Sequence, residues 1–196
     1  MKLQIHLYNS KDVLISDLLK SNFLTELEKN SFEKYKIEET KKEKIVSSIF
    51  KNKYIGEYYL NEFGKPLSIN KYFNISHSHG YVAFVVDNCP IGIDIEVISR
   101  VDPQLIEYIS SEEEKKYIHD EKSFYEIWTN KEALVKASGV GIRKKPKEIV
   151  SLPINGERIF EDKKYFNKTI KYDELIITVS RQKIEDFDLE IIEEVI

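Results

Sequence analysis

Three short runs in which apolar and polar residues alternate, 73–76, 81–86 and 91–98, follow one another with only Ser78-His79-Gly80 and Asn88-Cys89-Pro90 as turns between them. Alternation with a period of two marks strands that bury one face, and turns this short predict an antiparallel meander. In the third run Ile91, Ile93, Ile95 and Val97 fill one face, so Asp94 and Glu96 lie side by side on the other. Two adjacent carboxylates repel, and the repulsion is relieved when a divalent cation lies between them. Oxygen-only ligation suits magnesium.

Around this centre the pattern is mixed. Residues 1–7 alternate like a strand, and Leu24, Leu27, Phe32 and Tyr35 mark a helical stretch. Thr40 and Glu43 have the spacing of a capping box for a second helix carrying Ile45, Ile49 and Phe50 inward. Gly64-Lys65-Pro66 breaks the helical pattern, Asp102-Pro103 and Ser111 with Glu114 read as helix starts, and 124–138 is a strongly periodic helix ended by Gly139. The remainder returns to strands, giving an α+β chain. Residues 175–181 followed by 187–192 echo 81–87 followed by 93–98. The echo points to two related α+β halves, drawn at 1–98 and 99–196, although two unrelated hairpins would look alike. It also supplies a decoy, because Asp188 and Glu190 share the spacing of Asp94 and Glu96. No third partner is in view for them, and they read as a solvated face.

A chain of 196 residues can bury a core large enough to hold a cleft. With 30 Lys and Arg against 34 Asp and Glu, the net charge of -4 gives no general attraction to nucleic acid or anionic membrane. The single cysteine, Cys89, forms no internal disulfide, and no segment is apolar over a membrane-spanning length. A soluble, cytoplasmic protein is expected.

The helix strengthens the case for a site. Phe124, Ile127, Trp128, Leu134, Val135 and Ser138 form its core-facing stripe, and Lys131 falls near the middle of it, where burial requires an anion or an escape to solvent. Glu132 and Lys136, four apart, lie on the flank of the stripe next to Trp128. Alone they are an ordinary helical ion pair; with the strand pair, Glu132 is a third candidate metal ligand and Lys136 a candidate phosphate or proton-transfer group. Upstream, Ser76 and His77 are placed to donate to phosphate oxygens. They are no hydrolase pair, since adjacent strand residues point to opposite faces and no nucleophile elbow is present. His77 and His79 lack a third ligand for zinc. Lys65 is a further candidate phosphate contact, and basic clusters stand at Lys41, Lys42 and Lys44 and at 143–147.

Gly64-Lys65-Pro66, Phe73-Asn74-Ile75-Ser76-His77, Gly92-Ile93-Asp94-Ile95-Glu96 and Trp128-x-x-Lys131-Glu132-Ala133-x-x-Lys136, in this order and spacing, resemble the 4'-phosphopantetheinyl transferases of the surfactin-synthetase-activating (Sfp) type. The resemblance covers about residues 64–140. It implies two similar α+β halves forming a pseudo-dimer with the active site between them, in a single-chain monomer. It implies transfer of 4'-phosphopantetheine from coenzyme A to a serine of an apo carrier protein, with magnesium as cofactor and adenosine 3',5'-bisphosphate leaving. Asp94, Glu96 and Glu132 then correspond to the metal ligands, and Lys65, Ser76, His77 and Lys131 to coenzyme contacts, with Lys44 taken from the three helix lysines for the 3'-phosphate. Lys136 would stabilise or protonate the leaving group and Glu132 accept the serine proton. The 143–147 loop is the candidate docking patch for an acidic carrier.

Two other classes fit parts of the pattern. A magnesium-dependent nuclease would use paired carboxylates and a lysine, but Val97 and Ile98 follow the strand pair and the chain has no basic bias. A non-catalytic coenzyme A or carrier-binding module would not need all three acidic residues.

Overall fold

The computed structural model describes residues 2–61, 66–141, 145–183 and 185–196. The N-terminal part contains β1 (Lys2–Asn9), α1 (Ile15–Leu18), α2 (Glu26–Ser31) and α3 (Glu38–Tyr54). A small pair, β2 (Tyr59–Leu60) with β3 (Pro66–Leu67), leads to β4 (Tyr72–Ser78), β5 (Tyr81–Asp87) and β6 (Ile91–Val97). Then come α4 (Pro103–Ile109), α5 (Glu112–Tyr117), α6 (Glu121–Ser138), β7 (Gly156–Phe160), β8 (Lys163–Tyr172), β9 (Leu175–Arg181) and β10 (Asp188–Glu193).

The strands build two four-stranded sheets, in the orders β10-β1-β5-β4 and β6-β9-β8-β7. Period-two alternation decides how they stack. Leu3, Ile5, Leu7, Ala83 and Val85 of the first sheet meet Ile91, Ile93, Ile95, Leu175, Ile177 and Val179 of the second in one apolar cluster. Each Val, Leu or Ile among them contributes about 1.5–3 kcal/mol when fully buried. The alternate residues of the first sheet, Tyr8, Val82 and Phe84, pack under Ile45, Ile49 and Phe50 of α3. On the second sheet α6 covers β6 and β9. The result is a helix–sheet–sheet–helix stack, an α+β architecture.

Local signals explain the helix ends. Asp102 caps α4 with Pro103 at its first turn, Ser111 and Glu114 form a capping box, and Gly139 closes α6 at φ 72°. Thr40, by contrast, lies inside α3, which begins at Glu38. Its expected partner Glu43 instead reaches the Gly80 amide and His77.

The meander is half right. β4 and β5 pair antiparallel from Tyr72↔Asp87 to Ser78↔Tyr81, but β6 leaves that sheet and pairs with β9. Reciprocally, β10 leaves the C-terminal region and pairs parallel with β1. Alternation specifies a strand and its faces but not its partner, so the sheets do not follow the division drawn at residue 98.

Candidate active site

β4 and β6 are the edge strands of the two sheets, and they run beside each other. An edge strand has outward amides that need acceptors. Here side chains of β4 supply them: Asn74 Oδ1 accepts from the Ile93 amide at 2.9 Å, and Ser76 Oγ and Ser78 Oγ accept from Ile95 and Val97 at 3.3 Å. The two sheets are thus joined by a polar seam, with Asp94 and Glu96 projecting beside it toward α6.

Gly92 lets α6 come close. A Cβ at this position would sit 2.2 Å from the Ala133 carbonyl oxygen and 2.4 Å from the Ala137 amide nitrogen. Further contact comes from buried polar groups, with Thr129 bonded to Thr178 at 2.8 Å and Asn130 to Thr169 at 3.1 Å. This packing lays Trp128, Glu132 and Lys136 along the acidic face of β6.

Asp94 is the centre of the arrangement and only 4% exposed. Its Oδ1 accepts from Lys136 Nζ at 2.6 Å and Ser76 Oγ at 2.9 Å, while Lys136 also donates to Ser76 Oγ at 3.0 Å. Its Oδ2 is buried without a hydrogen-bond partner among the described residues. Glu96 accepts from Ser78 Oγ at 2.7 Å and from Trp128 Nε1 at 3.3 Å. Burial raises the pKa of Asp94 despite Lys136. It also raises those of Glu96, helped by the Asp94 charge, and Glu132, helped by Asp94 and then Glu96. The three carboxylates therefore sense one another and are short of positive charge.

Among the described residues no three His, Cys, Asp or Glu side chains converge as a metal-binding group. The Lys136 ammonium occupies one Asp94 oxygen instead. The donor chemistry nevertheless suits a hard divalent cation: three carboxylates that sense one another's charge, with a buried Asp94 oxygen among them that has no hydrogen-bond partner among the described residues.

Lys131 lies elsewhere. At 1% exposure its ammonium donates to Glu114 Oε2 at 2.7 Å and to the carbonyls of Ile109 and Pro146 at 2.8 and 2.9 Å. Those three acceptors use all three ammonium donors, so the expected coenzyme contact is corrected to a buried strut joining α6 to α5. Glu114, the capping-box residue, meets Ser151 with its other oxygen.

On the opposite face of β4, His77 Nδ1 lies 3.1 Å from Glu43 and Nε2 3.3 Å from Lys44 Nζ. Burial raises the Glu43 pKa, but the His77 hydrogen bond and charge, with the Gly80 amide, outweigh it and leave the group lowered. Of the three helix lysines only Lys44 turns this way; Lys41 pairs with Glu33 and Lys42 with Glu38. Lys44 and His77 line a cavity of about 310 Å³ with Tyr35, Ser47, Lys51 and Pro66. A larger cavity, about 490 Å³, opens across Pro66 at the end of α6, between Tyr72, Phe73, Ile91 and Ser138. Lys65, Arg143 and Lys144 lie outside the described residues.

Sequence reasoning missed Asn74, Ser78, Ser47 and Lys51. The period-two series Asn74, Ser76, Ser78 was the available signal for the seam; Ser47 and Lys51 repeat at helical spacing from Lys44.

Comparison with known proteins bears on this site. Residues 90–186 match the family model described as the 4'-phosphopantetheinyl transferase superfamily. The chain is 40% identical over 89 residues to 4'-phosphopantetheinyl transferase gsp of Aneurinibacillus migulanus, covering 42% of this chain and 38% of that one. It is 38% identical over 77 residues to psf-1 of Bacillus pumilus, covering 36% and 33%. With Sfp of Bacillus subtilis (strain 168) the figures are 34% over 90 residues, 41% and 40%. The chain thus matches well under two thirds of the length of each of these relatives. Residues 90–186, the segment that resembles the 4'-phosphopantetheinyl transferase superfamily, carry Asp94, Glu96, Glu132 and Lys136, so the candidate site lies within the matched part of the chain.

Proposed function

We propose that the protein transfers 4'-phosphopantetheine from coenzyme A to a serine of an apo carrier protein, with magnesium held by Asp94, Glu96 and Glu132. The observation that carries this reading is the triangle of Asp94, Lys136 and Ser76 beside Glu96 and Glu132, inside the segment that matches the superfamily. The serine oxygen attacks the β-phosphorus, its bond to the adenylate side breaks, and adenosine 3',5'-bisphosphate leaves. Magnesium, when bound, would neutralise pyrophosphate charge. Glu132 receives the serine proton as general base. Lys136 moves its ammonium to the leaving phosphate oxygens, and Ser76 holds the phosphate against the seam. Phosphoryl transfer depends chiefly on such positioning and charge neutralisation.

On the other face of β4, Lys44, His77 and Lys51 give the 310 Å³ cavity a cationic wall suited to the coenzyme's 3'-phosphate end, with Lys65 next to Pro66 as a further phosphate contact. The two helix-backed sheets are read as the halves of a pseudo-dimer with the site at their seam, supported by the internal echo and the reciprocal exchange of β6 and β10. Among the described residues no helix is long and apolar enough to cross a membrane. Intact-mass analysis tests the activity. Apo acyl, peptidyl and aryl carriers incubated with the protein, coenzyme A and magnesium should each be scored for a gain of one phosphopantetheine, and no gain on any of them overturns the proposal.

A further inference from the structure

We infer that Lys136 is the resident counter-cation of the acidic cluster, and that its ammonium and a divalent cation compete for Asp94. This rests on the magnesium reading above and goes beyond it, since it assigns Lys136 a second position and orders the events at the site.

Two lysines of α6 show why. Lys131 is 1% exposed and its three donors meet Glu114 and two carbonyls, a fixed arrangement with no alternative. The Lys136 side chain is 28% exposed, so its ammonium has a path toward solvent on a four-carbon stem. Among its acceptors are Asp94 Oδ1 at 2.6 Å and Ser76 Oγ at 3.0 Å. Ser76 Oγ has one proton, and it donates that proton to the same Asp94 oxygen. Lys136 and Ser76 are therefore both engaged by one carboxylate oxygen, while the other Asp94 oxygen is buried with no hydrogen-bond partner among the described residues.

A cation approaching Asp94 meets the ammonium first, and like charges a few ångströms apart in a half-buried site repel strongly. An incoming phosphate gives Lys136 and Ser76 a new acceptor. When they move to it, Asp94 is released for the cation. Divalent binding should consequently be weak in the free protein and strengthen with coenzyme A, partly through Lys136.

The chain carries a single tryptophan, and Trp128 donates to Glu96, so its fluorescence reports on the cluster directly. Magnesium is titrated into wild type, Lys136→Met and Lys136→Arg without coenzyme, and into wild type with coenzyme A, following Trp128 emission and calorimetry. Lys136→Met should bind magnesium at least about tenfold more tightly than wild type, since one adjacent charge acting on a divalent cation exceeds that factor even under water-like screening. Lys136→Arg, which keeps the charge, should remain within about twofold of wild type, a difference too small to signal a lost charge interaction. Equal or weaker binding by Lys136→Met, with wild type still binding, overturns the competition and leaves the magnesium reading standing. If wild type with coenzyme A and both variants show no saturable response, the magnesium reading itself falls.

Discussion

Asp94-Ile95-Glu96 and Asp188-Leu189-Glu190 differ by one aliphatic residue, and both occupy an edge strand, β6 in one sheet and β10 in the other. Their surroundings are opposite. Asp94 is buried beneath α6 and its edge is sealed by β4 side chains. Asp188 is exposed, and among the described residues Glu190 meets Lys2 at 3.1 Å and Gln4 at 3.3 Å. The difference begins two residues earlier. Gly92 gives α6 backbone room, whereas the corresponding Asp186 carries a carboxylate that pairs with Lys168 at 3.0 Å. Acidic spacing alone is therefore not a site; the cover over the strand turns it into one.

The sharpest way to break this comparison is to remove each aspartate. Asp94→Ala should lower the rate of carrier modification by at least about 100-fold, the scale of losing one main electrostatic group, whereas Asp188→Ala should retain it; single-turnover mass analysis decides. Equal losses would end the distinction. Next in size is the cover itself. Gly92→Ala forces backbone against backbone and should destabilise by about 1–3 kcal/mol, the scale of overpacking, while Asp186→Ala should move the urea midpoint far less.

The smallest effect is the dependence on pH. Burial raises the Asp94 pKa, so without divalent cation its contribution is fully favourable only at acid pH and is lost as pH rises from the ordinary carboxylate range toward its raised value. Asp94→Asn should therefore gain thermal stability relative to wild type as pH rises above the ordinary carboxylate range, by about 1.4 kcal/mol for each tenfold by which folding tightens the carboxylate's hold on its proton. Glu190 has the opposite sign: the Lys2 hydrogen bond, then Gln4, lowers its pKa, so any contribution is present at neutral pH and fades in acid. Because the Glu190 side chain is half-buried at the surface and its pair with Lys2 is solvent-screened, Glu190→Gln should scarcely move the melting curve.

How legible the molecule was depends on which interactions are local. The 124–138 periodicity located α6, and alternation around Asp94 identified both the core face and the acidic face, because each depends on residues a few positions apart. Ser111 with Glu114, Asp102-Pro103 and Gly139 marked helix ends for the same reason. Thr40 misled, since α3 starts one turn earlier with Ile37 at its cap and no side-chain capping bond. Lys131 was recognised as anomalous, but its partner lies 17 positions away on another helix. The crossing of β6 was illegible, because a strand with one apolar face packs equally well in either sheet. Lys44 was separable from Lys41 and Lys42 only once His77 was folded opposite it.

The exchange of β6 and β10 also sets an order of completion during synthesis. The first sheet has its hairpin and β1 early, but its fourth strand is made only when residues 188–193 are translated. Strand β6, made early, waits for β9 before it has a sheet at all. Neither sheet is a finished product of its own stretch of chain, so the seam between them, and any chemistry lodged there, comes into being near the close of translation of this segment.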